Sequence, residues 1–301
     1  MNQNEFDELI KEQLNQSDNM FGYKIEDRLY SIYYTNDEFK KYKSLLTEIK
    51  LDGRYKTAYD AYNLGKGDEL NEKYNKNFSK LMPPKMASVA SSSRYTVESV
   101  LKAPTQNIQE VFKLNYNHKK DAEIGVPFQR GGIPPQFDAY LCDDNKEIYI
   151  EAKCHEIFGS HSMRMKKSYA LQFEKLVTFY KRPESANQND FIFDMSLIGI
   201  NPSETLRFDA KQAIAHILGV KKNRRLTSKL IFLFFKPCDD PIYDTIKCQS
   251  YSFLNSSFIQ TIINNEFEVE IAFQESKSME CLSTKNYFPF ITLSNHEITI
   301  H

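Results

Sequence analysis

Two carboxylates and a lysine fall within one short stretch whose pattern brings them together. Pro134-Pro135-Gln136-Phe137-Asp138-Ala139-Tyr140-Leu141-Cys142 is followed by the polar tetrapeptide Asp143-Asp144-Asn145-Lys146. Then comes Glu147-Ile148-Tyr149-Ile150-Glu151-Ala152-Lys153. Apolar and polar residues alternate on both sides of the tetrapeptide, which is the signature of a β-hairpin. A turn centred between Asp144 and Asn145 sets Asp138 opposite Glu151 and Tyr140 opposite Tyr149. Side chains alternate with period two, so Asp138, Glu151 and Lys153 are expected on one face. Phe137, Ala139, Leu141, Ile148, Ile150 and Ala152 are expected on the other, in the core.

Like charges directly opposed across strands destabilise a sheet by up to roughly 1 kcal/mol. A hard divalent cation taking oxygen ligands from both carboxylates would offset this, and Mg²⁺ favours one or two carboxylates completed by phosphate and water. Lys153, on the same face, is placed to hold a water or to stabilise charge developing on a phosphate. The alternative is that Lys153 simply neutralises two acids on a solvated face.

The segment resembles the PD-(D/E)XK nuclease superfamily, whose restriction-endonuclease-like fold carries an Asp on one strand and an acid-x-Lys triplet on the next. Here these are Phe137-Asp138 and Glu151-Ala152-Lys153, with Phe137 where the superfamily has a proline and Pro134-Pro135 slightly earlier. The likeness covers roughly Ala103 to Pro237. It implies that Asp138 and Glu151 bind Mg²⁺, or Mn²⁺ in its place, and that Lys153 assists the attacking water. An acid on the preceding helix commonly completes such a site, for which Glu110 is the first candidate and Glu123, on the following strand, the second. A glutamine on a later helix often faces the site. Gln212 is the candidate, with His216 one turn on, and Gln172 is its competitor.

Other chemistry finds little support. Gly131-Gly132 lies outside any phosphate-cradling glycine motif. Cys154, His155 and His161 are too close in sequence to close a zinc tetrahedron easily. The five cysteines form no CxxC pair, so they read as free thiols. Lys and Arg number 39 against 40 Asp and Glu, a net charge of -1, so a polyanion would need a local basic patch. Arg164 to Lys167 and Lys221 to Arg225 are the candidate patches.

The elements that must position these residues follow from periodicity. Phe6, Leu9, Ile10 and Leu14, and then Phe39, Tyr42, Leu45, Leu46 and Ile49, recur at helical spacing, so residues 1–86 read as a helical N-terminal region. Pro83-Pro84 and the run Ala87 to Ser93 mark a boundary, either a flexible linker or an ordered lead-in to a nuclease domain over residues 87–301. Asn107 to Leu114 reads as a helix and Glu123 to Phe128 as a strand ahead of the hairpin. Helices are expected around Ser168 to Tyr180, from Asp209 to Leu218 with Gly219 as the stop, and from Ser252 to Asn264. Strands are expected at Lys229 to Phe235 and Phe267 to Phe273.

The 301 residues, 41% apolar, support a core, and no run approaches the length of a membrane span. No secretory signal is seen at the start. The expectation is thus an α/β protein with a mixed sheet flanked by helices, cytoplasmic and without a membrane partner. The function expected is a Mg²⁺-dependent endonuclease acting on DNA, possibly of restriction type. The alternatives are a catalytically silent relative that binds nucleic acid or protein, and an α/β scaffold unrelated to nucleic acid. The N-terminal helices would add a recognition surface, a homodimer contact or a cover for the sheet.

Overall fold

The most apolar run of the chain, Leu230 to Phe235, becomes the middle of the protein because it can bury both of its faces. The structure, a computed structural model, describes residues 1–13, 17–25, 28–64, 69–128, 134–166, 169, 190–236, 238–275, 290–293 and 298–300. Helix α1 (Gln3–Gln13) precedes a hairpin of β1 (Met20–Ile25) with β2 (Arg28–Tyr34), and helices α2 (Asn36–Glu48) and α3 (Ala58–Leu64) precede a second, β3 (Lys73–Asn75) with β4 (Lys80–Met82). Then come α4 (Ser92–Thr96), which runs on as a π-helical turn, and α5 (Thr105–Phe112). Strands β5 (Lys119–Gly125), β6 (Gln136–Cys142) and β7 (Lys146–Lys153) form an antiparallel meander.

After the short pair β8 (Arg164–Lys166) and β9 (Asp190–Ile192), helix α6 (Ala210–Asn223) leads to β10 (Thr227–Lys236), which joins β7 in parallel. Helices α7 (Pro241–Asn255) and α8 (Ser257–Ile263) lead to β11 (Glu268–Glu275), parallel to β10. These five strands make a mixed sheet in the order β11-β10-β7-β6-β5, and β12 (Phe290–Leu293) and β13 (Ile298–Ile300) extend its β11 edge. A mixed α/β sheet flanked by helices is what the periodicity predicted.

Each face of the sheet has its own core. Ala139, Leu141, Ile148, Ile150, Ala152, Ile231, Leu233 and Phe235 pack with Phe6, Ile10, Tyr62 and Tyr95 of the N-terminal half. Leu230, Phe232, Phe234, Ile271 and Phe273 pack with Ile214, Phe253 and Ile259 of the later helices. The odd and even residues of β10 thus serve opposite layers, as a strand requires.

Several local expectations are corrected. Residues 1–86 are not helical throughout, because Tyr30, Ile32, Tyr33 and Tyr34 supply the aromatic and β-branched side chains that favour a strand. The run Ala87 to Ser93 is an ordered lead-in, mostly buried: Val89 N–H bonds Ile32 O at 3.0 Å, and Ser91 Oγ caps α4 by accepting the Arg94 N–H. Strand β5 begins and ends earlier than Glu123 to Phe128. Gly219 does not stop α6. Any Cβ there would come within 2.7 Å of the Val126 carbonyl oxygen, so glycine lets the helix seat closely on the chain leaving β5. The helix expected from Ser252 to Asn264 is two, broken at Ser256, whose side chain caps α8. The helix expected around Ser168 to Tyr180, with Gln172, and the Gly131-Gly132 turn fall outside the described residues, Tyr169 excepted. Among the described residues no helix is long and apolar enough to cross a membrane.

Candidate functional site

The hairpin register is the expected one over its closed half: Ala139 pairs with Ile150, Tyr140 with Tyr149, Leu141 with Ile148 and Cys142 with Glu147. At its open half the ladder ends early. Asp138 is not a ladder partner of Glu151. Instead its Oδ2 accepts the Ala152 N–H at 2.7 Å, so the carboxylate takes the place of a backbone acceptor. On the other side, Ala122 pairs with Ala139 and Ile124 with Phe137, while Glu123 between them sits in the left-handed region at φ 53°. Strict alternation fails here. Phe137 packs against His216 at 4.5 Å and Tyr149 at 5.1 Å, on the α6 side of the sheet, not with Ala139 as expected.

The distortion gathers charge. Lys153 Nζ donates to Glu151 Oε1 at 2.6 Å, and Gln212 Nε2 donates to the same oxygen at 2.7 Å. His216 Nε2 lies 3.4 Å from Glu151 Oε2 and 2.9 Å from Gln136 O, while its Nδ1 is 2.9 Å from Gln212 O. Gln212 reaches Glu151 from the first turn of α6, which Asp209 caps by accepting the Gln212 N–H. Burial pushes the Asp138 carboxyl well above the usual carboxylate range, and the charges of Glu151 and Glu123 push the same way against Lys153 and the Ala152 N–H. Burial alone would lower Lys153, but Glu151, Glu156 and Asp138 more than reverse this and hold its ammonium above the usual range. Lys153 is therefore a cation at neutral pH. It can donate hydrogen bonds to an anion, but it is a poor proton acceptor.

These groups open into a cavity of about 470 Å³. The sheet supplies Glu123, Asp138, Glu151 and Lys153, helix α6 supplies Lys211, Gln212 and His216, and the N-terminal half supplies Glu69, Lys85, Ser92 and Ser93. The Tyr62 hydroxyl, buried within electrostatic reach of Glu123 and Asp138, has no hydrogen-bond partner among the described residues.

Asp138, Glu151, Lys153 and Gln212 are thus brought together, with Glu123 and His216. Glu110 is not among them: it faces outward on α5 and accepts a hydrogen bond from Gln106 at 3.1 Å. Glu123, the second candidate, lines the cavity. Periodicity could not have found Tyr62, Lys85 or Ser93, because they come from elements far away in sequence. The basic run at the C-terminal end of α6 is engaged within the fold. Lys221 bonds Ile262 O, Lys222 bonds Phe128 O, and Arg224 pairs with Glu266.

All the anionic donors here are carboxylate oxygens, which suit a hard cation. Among the described residues no group of three or more His, Cys, Asp or Glu side chains stands at metal-holding spacing. Asp138 and Glu151 both line the cavity, and their oxygens are the chemical type a hard divalent cation takes. No protein-family model, curated protein or solved structure matches the chain.

Proposed function

We propose that the chain is a metal-dependent nuclease of the PD-(D/E)XK type, with a restriction-endonuclease-like fold, that hydrolyses DNA phosphodiester bonds. One observation carries the reading. Lys153 and Gln212 converge on one oxygen of Glu151 beside a half-buried Asp138 whose carboxylate accepts a backbone N–H, all lining an open cavity. Such crowding of acids costs stability, and groups with strongly shifted titration in a cleft mark functional sites.

Asp138 and Glu151 would hold Mg²⁺ or Mn²⁺, which when bound supplies charge to the phosphate and acidifies a bound water. Gln212 fixes the rotamer of Glu151, leaving Oε2 toward His216. Lys153, held charged by its carboxylate neighbours, presents N–H groups to the phosphate and stabilises the charge that develops on it. Because it is already protonated, its part is to position and stabilise, not to remove the proton from water. The described cysteines are free thiols, which suits a reducing cytoplasmic setting.

A second reading has its own support. The Lys153–Glu151 ion pair is closed, and among the described residues the carboxylates form no three-ligand set, so the site suits a silent nuclease-like domain that binds nucleic acid or protein. Digestion of mixed, unmethylated genomic DNA in Mg²⁺ and Mn²⁺ separates the two. The wild type is expected to cut, and Lys153→Ala to cut about 10²–10³-fold more slowly. Equal rates would remove Lys153 from the chemistry, and no cutting by either would favour the silent domain.

A further inference from the structure

The N-terminal hairpins form a second concavity. Tyr23 Oη donates to Leu81 O at 2.9 Å, and the Tyr30 and Phe78 rings meet edge to face at 5.8 Å, so β1–β2 and β3–β4 are held against each other. Between them runs a groove of about 420 Å³ lined by Tyr30, Tyr33, Tyr74, Lys73, Lys76 and Lys85. Tyr33 is buried at its base, but the other two rings stand in water: Tyr74 is 58% exposed and Tyr30 38%, with Phe78 and Leu81 exposed beside them. Large apolar groups clustered in solvent mark a binding surface more often than a structural one.

The charge around these rings is basic. Lys73, Lys76, Lys80 and Lys85 are exposed on or beside the groove, against Glu72 and Glu69, the latter 3.6 Å from Lys85. Lys85 also lines the cavity of Asp138 and Glu151, so the two concavities meet at one side chain. Flat rings interleaved with ammonium groups match bases strung on a phosphate chain, and every base has a face that can stack. A duplex does not offer those faces.

We infer that this groove binds single-stranded nucleic acid, with bases on Tyr30 and Tyr74 and phosphates on the lysines, and that the strand passes Lys85 into the cavity. Only that last step rests on the nuclease reading.

The test is fluorescence anisotropy with a labelled oligothymidylate of about 20 nucleotides, in EDTA so that nothing is cut. The wild type is expected to bind it more tightly than a duplex of equal length, with affinity falling as salt rises. Tyr74→Ala should weaken binding about tenfold, and Tyr30→Ala with Tyr74→Ala further, since a stacked base contributes that much or more. Lys76→Ala should lower the salt slope by about one. Because Tyr74 faces solvent, its single variant reports on binding without disturbing the fold, which circular dichroism checks. An oligouridylate arm distinguishes RNA from DNA. Absent binding, preference for the duplex, or an unchanged affinity in Tyr74→Ala would overturn the inference. Single-strand binding with no cutting of the mixed genomic DNA in Mg²⁺ or Mn²⁺ would keep the groove and sink the nuclease, whereas cleavage indifferent to Tyr74 and Tyr30 would do the reverse.

Discussion

The two ends of the β6–β7 hairpin each carry an aspartate, and the two titrate in opposite directions. At the closed end Asp143 accepts N–H groups from Asn145 and Lys146 on one oxygen and from Asn115 on the other, all at 2.8 Å. Slight burial pushes its carboxyl up, but these three donors, with the Lys146 charge, outweigh it and hold the group below the usual range. At the open end Asp138, half-buried beside the cavity, has one backbone donor and two acidic neighbours, and its carboxyl is held high. One aspartate stabilises the turn. The other is kept where its charge is unwelcome, which a protein tolerates where the charge is used.

The contrast can be tested by removing each charge. Asp143→Ala leaves three backbone donors to solvent and should cost about 1–2 kcal/mol at neutral pH. A depressed folded-state pKa gives stability that is full above the ordinary carboxylate value of about 3.9 and is lost as pH falls through the depressed value. The gap between wild type and variant in urea melts should therefore narrow in acid; a constant gap would deny the ionised turn its role.

Asp138→Asn keeps an acceptor for the Ala152 N–H and removes the repulsion. Without divalent cations it should stabilise the protein by up to about 1 kcal/mol. The sign follows from the raised pKa: the contribution of Asp138 to stability is present below its unfolded value and lost as pH rises through the folded one, so the advantage of Asn should grow with pH. A loss of stability in Asp138→Asn would make this end structural too. The smallest effect belongs to Glu110→Ala, which should stay within about 0.5 kcal/mol and leave any cleavage unchanged. A loss of cleavage would bring Glu110 back into the site.

The closed end was readable from sequence, because a polar tetrapeptide between alternating strands fixes register locally. Lys153 was readable by strand parity, and Gln212 was the candidate that the nuclease resemblance implied. What escaped depends on distortion or on distance. Phe137 changes face, and Glu123 enters the site through a left-handed backbone that few non-glycine residues adopt, so neither obeys period two. The N-terminal hairpins were hidden by the helical spacing on either side of them. Gly219 looked like a stop because its use, close approach to Val126, is visible only in three dimensions.

The layer over one face of the sheet also constrains how the chain is made. Phe6 of α1 finds its place against Phe235 of the central strand, an edge-to-face contact at 6.4 Å between residues more than two hundred positions apart. During synthesis at about 5–20 residues per second, α1 leaves the ribosome roughly 10–50 s before the strand that covers it exists. For that interval Phe6 lacks its partner on the central strand, which leaves apolar surface of the nascent N-terminal half uncovered.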